Sequence, residues 1–174
     1  MVDAYTAPDG SLYLLDFYRG IIQHRAYLTT FLRRQIEERG LDTPVGLGRI
    51  YRVVHEDGKP LNEAPRMQDR EPAELVAHLA HPNGWWRDTA QRFLVELGDD
   101  AVVPALEDMA RNHDNHLARI HAIWTLEGLG AFTPTLLESA LEHSHPRVTA
   151  EAIRASESLA LTESAGETLI RLTT

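Results

Sequence analysis

Three stretches in the second half of the chain decide the fold: HPNGWWRDTA (81–90), NHDNHLARIHA (112–122) and HSHPRVTAEA (143–152). Each begins with a polar turn and continues into a helical pattern. The alanines Ala90, Ala122 and Ala152 recur within them at spacings of 32 and 30 residues. A small side chain at the same place in successive helices lets those helices approach closely. Repeats of this length with paired helices indicate an α-solenoid.

Helical periodicity extends over most of residues 73–174, which we predict to be a domain of HEAT-like helical repeats. Six helices are expected, over residues 73–80, 85–97, 102–111, 117–129, 134–141 and 148–159. Residues 162–172 are expected to begin a further repeat. The proline-rich segment 60–72 (PLNEAPRMQDREP) predicts a linker before this domain.

The first 59 residues have a different pattern. The turn signal at residues 8–10 leads into strand formers at 11–18, and GRIYRVV (48–54) is a second strand candidate. Residues 12–15 are apolar at most positions, which predicts a strand covered on both sides. Residues 28–39 have helical periodicity and end at Gly40. The predicted arrangement is two strands with a helical insertion.

Several of these phrases resemble a known family. PDGSLYLLDFYRG (8–20) and GRIYRVV (48–54) resemble paired inner strands of a β-propeller blade of the sugar-dehydrogenase type. Residues 20–54 and WWRDTAQR (85–92) are similar to the PVC-type (planctomycete and verrucomicrobial) membrane-bound-dehydrogenase-like, haem-binding proteins. The resemblance implies a mainly α fold: a partial β-propeller blade, from the C-terminal end of a propeller, followed by a HEAT-like α-solenoid.

The same resemblance implies a longer protein, periplasmic or secreted, with a signal peptide, a quinoprotein-like propeller, HEAT-like repeats and a c-type haem domain. Pyrroloquinoline quinone (PQQ), calcium and haem c are implied for that full-length protein and are not expected in this chain. Residues 1–10 carry neither a basic nor an apolar region of an export signal. We therefore expect a piece of a larger protein that is inactive alone.

Composition excludes several functions. The net charge of −9, from 26 acidic and 17 basic residues, argues against nucleic acid as a partner. The chain contains no cysteine, which excludes disulfides, thiolate metal sites and a Cys-x-x-Cys-His haem attachment in these residues. No apolar run approaches the roughly 20 residues that a membrane helix requires.

Four residues where the first strand enters the insertion form a candidate pocket: Tyr18, Arg19, His24 and Arg25. In such a pocket His24 would act as a general base or hydrogen-bond donor, and the arginines would hold anionic groups of a cofactor or substrate. The catalytic histidine of the resembling dehydrogenases does not align with His24, so the catalytic residues stay unassigned. The alternative is that these residues fix the insertion onto neighbouring blades.

Trp85, Trp86 and Arg87 form a candidate interaction surface, an exposed aromatic platform for a partner. The alternative is that the tryptophans belong to the core, because buried aromatic side chains supply much of the stability of a small solenoid. His113 and His116 flank Asp114, but nothing nearby completes a set of metal ligands. We predict a capped turn there and no metal site.

Two functions follow from these patterns. In the first, the chain is part of a dehydrogenase-like protein, and its solenoid positions neighbouring domains or a protein partner. In the second, it is a non-enzymatic HEAT-repeat module that binds a protein partner, and the β segment caps the solenoid.

Overall fold

A computed structural model describes residues 3–19, 21–22, 24–43, 45–58, 65–159, 166 and 170. The chain divides into two compact units, Met1–Glu63 and Ala64–Thr174, which we call the N-terminal unit and the helical unit. The described part is mainly helical, with one small antiparallel sheet in the N-terminal unit. The coarse prediction of a mainly α protein is therefore confirmed.

The sheet of the N-terminal unit contains strands β1 (Asp3–Thr6), β2 (Leu12–Asp16) and β3 (Arg49–Val53), in the order β1-β2-β3 with both pairs antiparallel. Tyr13 of the central strand lies opposite Tyr5 on one side and Arg52 on the other. The prediction of two strands was wrong, since β1 is a third. Its four residues are too few to show a strand period, so only its pairing with β2 reveals it.

The predicted turn at residues 8–10 joins β1 to β2. Asp9 accepts hydrogen bonds from the backbone N–H of Ser11 (2.9 Å) and from its hydroxyl (2.6 Å), and Gly10 has a φ of 81°. These two bonds are the main reason why the pKa of Asp9 is lowered to about 2, and the Arg52 guanidinium adds to them. Such a turn sets the register of the hairpin.

The expectation that the first predicted strand is covered on both sides is not met. Its Leu12 side chain is exposed, and so are Ile50, Tyr51 and Val53 of β3, at 67%, 44% and 50%. The pattern of apolar residues along a strand does not show whether another layer covers the sheet. It shows only which side chains can be buried.

Helix α1 (Thr30–Glu38) lies between β2 and β3, where the periodicity predicted it. Thr29 caps its start by accepting a hydrogen bond from the N–H of Leu32 at 3.3 Å. Gly40, with a φ of 61°, follows its end. A short 3-10 helix, Arg25–Tyr27, precedes it and places Arg25 against the helix. The described part of the insertion therefore contains a 3-10 helix and an α-helix.

Over residues 65–159 the helical unit contains six α-helices: α2 (Pro72–His78), α3 (Gly84–Leu97), α4 (Val103–Asn112), α5 (His116–Gly128), α6 (Pro134–Leu141) and α7 (Pro146–Ala155). They lie within a few residues of the six predicted spans. The further repeat predicted at 162–172 falls outside the described residues, apart from Gly166 and Ile170.

These helices pack as pairs in two layers. Helix α3 packs on α5 and α5 on α7, so these three form one layer, while α4 and α6 contact each other in the second layer. Ala90, Ala122 and Ala152, the alanines of the repeated stretches, are fully buried. The core is otherwise built from leucines and other aliphatic side chains of all six helices. Burying this apolar surface is the main stabilising term.

Helices α3 and α5 approach closely within their layer. A Cβ added at Gly128 of α5 would lie 2.7 Å from Cγ2 of Val95 in α3, so only glycine fits there.

Met67 lies in a 3-10 helix (Met67–Asp69) before α2 and is buried in the core of the helical unit. The segment predicted as a linker therefore contributes to packing from residue 67 onward.

Candidate functional site

One turn structure is repeated three times in the helical unit. In His81, His113 and His143, Nδ1 of the imidazole accepts a hydrogen bond from the backbone N–H two residues later, each at 3.0 Å. An imidazole that accepts at Nδ1 carries its proton on Nε2, so all three turns hold the same tautomer.

The residue two positions after each histidine caps the following helix. Asn83 and Asn115 accept from the N–H groups of Trp85 and Leu117 through Oδ1, both at 2.9 Å, and begin α3 and α5. In the third copy His145 takes this place and accepts from the N–H of Arg147 at 3.3 Å. The three histidine turns therefore start the three helices of one layer in the same way.

Six residues after each histidine, a side chain donates hydrogen bonds to backbone carbonyls in or just before the turn. Arg87 donates to the carbonyls of His81 (2.6 Å) and Pro82 (2.9 Å), and Arg119 donates to the carbonyl of Arg111 at 2.6 Å. Thr149 holds the equivalent place with a 3.4 Å bond to the carbonyl of His143. The guanidinium of Arg87, a predicted interaction-surface residue, is thereby engaged in its own turn.

Trp85 and Trp86 are half-buried and pack against the core. The Trp86 ring lies 5.1 Å from that of His78 and 5.2 Å from that of His81, and Trp85 meets Trp86 edge-on at 5.6 Å. The two indoles therefore join α3 to the turn that precedes it.

A groove of about 380 Å³ lies between α3 and α5, and we call it the α3–α5 groove. Val95, Trp124 and Gly128 supply its apolar lining, and its polar lining residues are Asp88, Gln91, Arg92, Glu96 and Glu127. Arg92 is neutralised by Glu96 at 3.6 Å. The carboxylates of Asp88 and Glu127 leave the groove with a negative charge.

A hydrogen-bonded row of side chains borders this groove across α3, α5 and α7. His121 lies 2.7 Å from Oε1 of Gln91 through Nδ1, and its Nε2 accepts from Nε of Arg87 at 3.3 Å. Trp124 donates from Nε1 to Glu151 of α7 at 3.1 Å. Burial lowers the pKa of His121, Asp88 opposes that effect, and Arg87 adds to it. The row ties the three helices of the layer together.

In the N-terminal unit, a concavity of about 460 Å³ lies between α1 and the described residues among 19–28, and we call it the insertion pocket. Three of the four predicted pocket residues, Arg19, His24 and Arg25, line it. Tyr18 does not, because its backbone has a φ of 43° and its ring packs under the Arg49 guanidinium at 3.7 Å. Arg33 of α1 also lines the pocket and was not predicted.

The polar groups of the insertion pocket bond mainly to one another and to the backbone. His24 accepts the N–H of Ala26 at Nδ1 (3.3 Å), which caps the 3-10 helix. Arg25 pairs with Glu37 at 3.0 Å, and Arg33 donates from Nη2 to the carbonyl of Arg25 at 3.1 Å. Neither contact pairs His24 with a carboxylate, the arrangement that would activate it as a base.

Two observations concern metal and haem binding. Haem c requires cysteines that the chain lacks, and the residues that the structure describes contain no group of three or more metal-ligating side chains. His116 stacks on the His145 ring at 3.9 Å instead of completing a site with His113. Among the described residues, no helix is long and apolar enough to cross a membrane.

The class that this fold defines is a mainly helical protein with a repeated helical-pair structure and a small separate β unit. Residues 2–57, which cover the sheet and the insertion, match the family model of a domain of unknown function (DUF7133). No curated protein and no solved structure matches the chain. The site residues missed by the sequence, such as Arg33, Asp88 and Glu127, have no local signal because they meet their partners only in the folded units.

Proposed function

We propose that this chain is part of a PVC-type dehydrogenase-like protein of the periplasm or cell exterior. In this proposal its helical unit is a HEAT-like solenoid that acts as a scaffold and interaction surface. The N-terminal unit is part of a β-propeller blade, and the chain is inactive alone. PQQ, calcium and haem c belong to other parts of the longer protein.

The observation that carries the scaffold proposal is the threefold histidine turn. The same bonds recur at spacings of 32 and 30 residues and start α3, α5 and α7 alike, as expected of repeats that stack in one direction. Solenoids use such a continuous layer of equivalent helices to hold partner proteins. The α3–α5 groove lies on this layer.

The exposed apolar sheet supports the propeller part. Adjacent blades would cover the exposed side chains of Ile50, Tyr51 and Val53. On an isolated sheet their exposure to water would be unfavourable. If this reading is correct, the reading frame continues upstream into further blades and downstream to a Cys-x-x-Cys-His motif. A stop codon shortly upstream in the gene would contradict it.

The negative charge of the helical unit favours a positively charged partner. Residues 65–159 contain 15 acidic residues against eight arginines and no lysine, and Arg87 and Arg119 are bonded to backbone carbonyls. The groove combines this negative charge with an apolar lining from Val95 and Trp124. The complementary occupant is a partner-protein segment in which lysine or arginine alternates with aliphatic residues.

Fluorescence anisotropy with two labelled peptides tests this groove: one of alternating lysine and leucine, and one in which glutamate replaces lysine. We expect saturable binding of the lysine peptide alone. The double variant D88N/E127Q should weaken it about tenfold, since two exposed charges are lost.

The matched control is E107Q/E142Q, which removes two carboxylates from α4 and from the end of α6, in the other layer. It should leave the affinity unchanged. Equal weakening by both double variants would show that the peptide senses net charge and not the groove, and the assignment of the groove would then fail. In that case the chain is better described as a structural cap or spacer.

A further inference from the structure

We infer that the insertion pocket binds a small organic carboxylate with an aliphatic body. This inference concerns the N-terminal unit and does not depend on the scaffold proposed for the helical unit. It rests on the cations that line the pocket, on its apolar wall and on its size.

The cations are only partly neutralised. Arg25 is paired with Glu37, but the described contacts of Arg33 go to a backbone carbonyl, and no described contact pairs Arg19 with a carboxylate. The Nε–H of Arg33 is buried without an acceptor, which is costly for a guanidinium. If the Arg33 guanidinium rotates towards a bound ligand, a ligand oxygen can accept a hydrogen bond from this Nε–H.

Much of the rest of the pocket lining is aliphatic. Ile21, Ile22, Leu28, Ile36 and Leu41 line the pocket, and Ile22 is 68% exposed. A volume of about 460 Å³ lies within the range of small-molecule sites. A polar anion alone would leave this apolar surface in water, so the occupant carries an aliphatic part.

The charge balance favours a single negative charge. The pocket holds three arginines against two carboxylates, Glu37 and Asp42. A monocarboxylate matches the one remaining positive charge, whereas a phosphate dianion exceeds it. Arginine also binds carboxylates through two parallel hydrogen bonds, which orients the ligand's polar end.

The test uses the full 174-residue chain at pH 7 and three probes: octanoate, inorganic phosphate and octylammonium. In ¹H–¹⁵N NMR spectra, octanoate should shift the amide of Ala26 and the Nε–H of Arg33 saturably, because Ala26 donates to the pocket residue His24 and Arg33 lines the pocket. Phosphate and octylammonium should each bind at least about tenfold more weakly, as loss of the apolar or the charged contact predicts.

Two variants locate the site. R19Q should weaken octanoate binding about tenfold without unfolding, since Arg19 is exposed, and R33Q should do the same. R34Q is the matched control, because Arg34 lies on α1 outside the pocket lining and pairs only with Glu38 at 3.8 Å. If the amide signals of R33Q lose their dispersion, that variant is unfolded, and the effect of R19Q on octanoate binding alone tests the site.

Three results would overturn the inference. Equal binding of octylammonium would show an apolar patch without charge recognition. Phosphate binding as tight as octanoate would show an inorganic-anion site. Octanoate shifts that do not saturate, or that R19Q leaves unchanged, would show that the pocket is not the site.

Discussion

Nδ1 of His121 lies 2.7 Å from Oε1 of Gln91, a residue thirty positions earlier in the chain. Because the amide oxygen only accepts, the proton of the imidazole is on Nδ1, and Nε2 is left to accept from Arg87. This histidine has the opposite tautomer from those of the three turns. The contacts of His121 require a neutral imidazole, and burial lowers the pKa of this side chain, which makes the helical unit sensitive to acid.

We expect the helical unit to lose stability as the pH falls from 7 towards 5. Burial is the main cause that lowers the pKa of His78, His116, His121 and His143 below the usual value of about 6.5. Below that value the unfolded chain binds more protons than the folded one, so the free energy of unfolding decreases as pH decreases. Thermal melts by circular dichroism at pH 8, 7, 6 and 5 measure it.

The variant H121Q should show a shallower dependence of Tm on pH than the natural chain, whatever its Tm at pH 8. A Tm that stays constant from pH 8 to pH 5 in the natural chain would contradict the prediction.

Loss of a helix cap should destabilise the helical unit. In N115A the N–H of Leu117 loses its acceptor at the start of α5, and we expect a cost of about 1 kcal/mol in the free energy of unfolding. Urea unfolding followed by tryptophan fluorescence measures it. N112A is the control, because the Asn112 side chain bonds only the exposed Asp108. Equal costs for the two variants would show that Asn115 is not a cap that matters for stability.

Addition of one methyl group at the contact of α3 with α5 should be harmful. In G128A the new Cβ would lie 2.7 Å from Val95, so we expect a cost of about 1–3 kcal/mol. The double variant V95A/G128A removes the clash and should be more stable than the sum of the two single changes predicts, a coupling that urea unfolding can measure. Strict additivity would mean that the helices separate without resistance.

The helical unit should fold without the N-terminal unit. Residues 64–174 form a compact unit with its own core, so we expect them to keep their helical signal and a cooperative melt when residues 1–63 are removed. Circular dichroism of the full chain and of the truncated chain compares the two. If residues 1–63 are needed for a single joint transition at higher temperature, the β segment is an integral cap, and the interaction-module function is favoured over the propeller piece.

The positions of the helices could be predicted because their causes are local. The periodicity of apolar residues and the caps at Asn83 and Asn115 act within one turn of a helix, so α3 and α5 were located within one residue of their observed starts. The hydrogen bonds of the histidine turns are also local. They were not predicted, because they depend on the backbone conformation of each turn. Strand β1 was missed because four residues carry no usable period.

The amino-acid sequence alone determined that this chain is mainly helical and where α2 to α7 lie, with Ala90, Ala122 and Ala152 at equivalent buried positions of three helices. Tertiary structure decided that Tyr18 packs on Arg49 outside the insertion pocket, that Arg33 lines that pocket, and that His121 of α5 meets Gln91 of α3. The physical reason is range. Hydrogen bonds within a turn and helical periodicity depend on neighbours a few residues away, whereas a pocket or groove depends on which distant surfaces the packed core brings together.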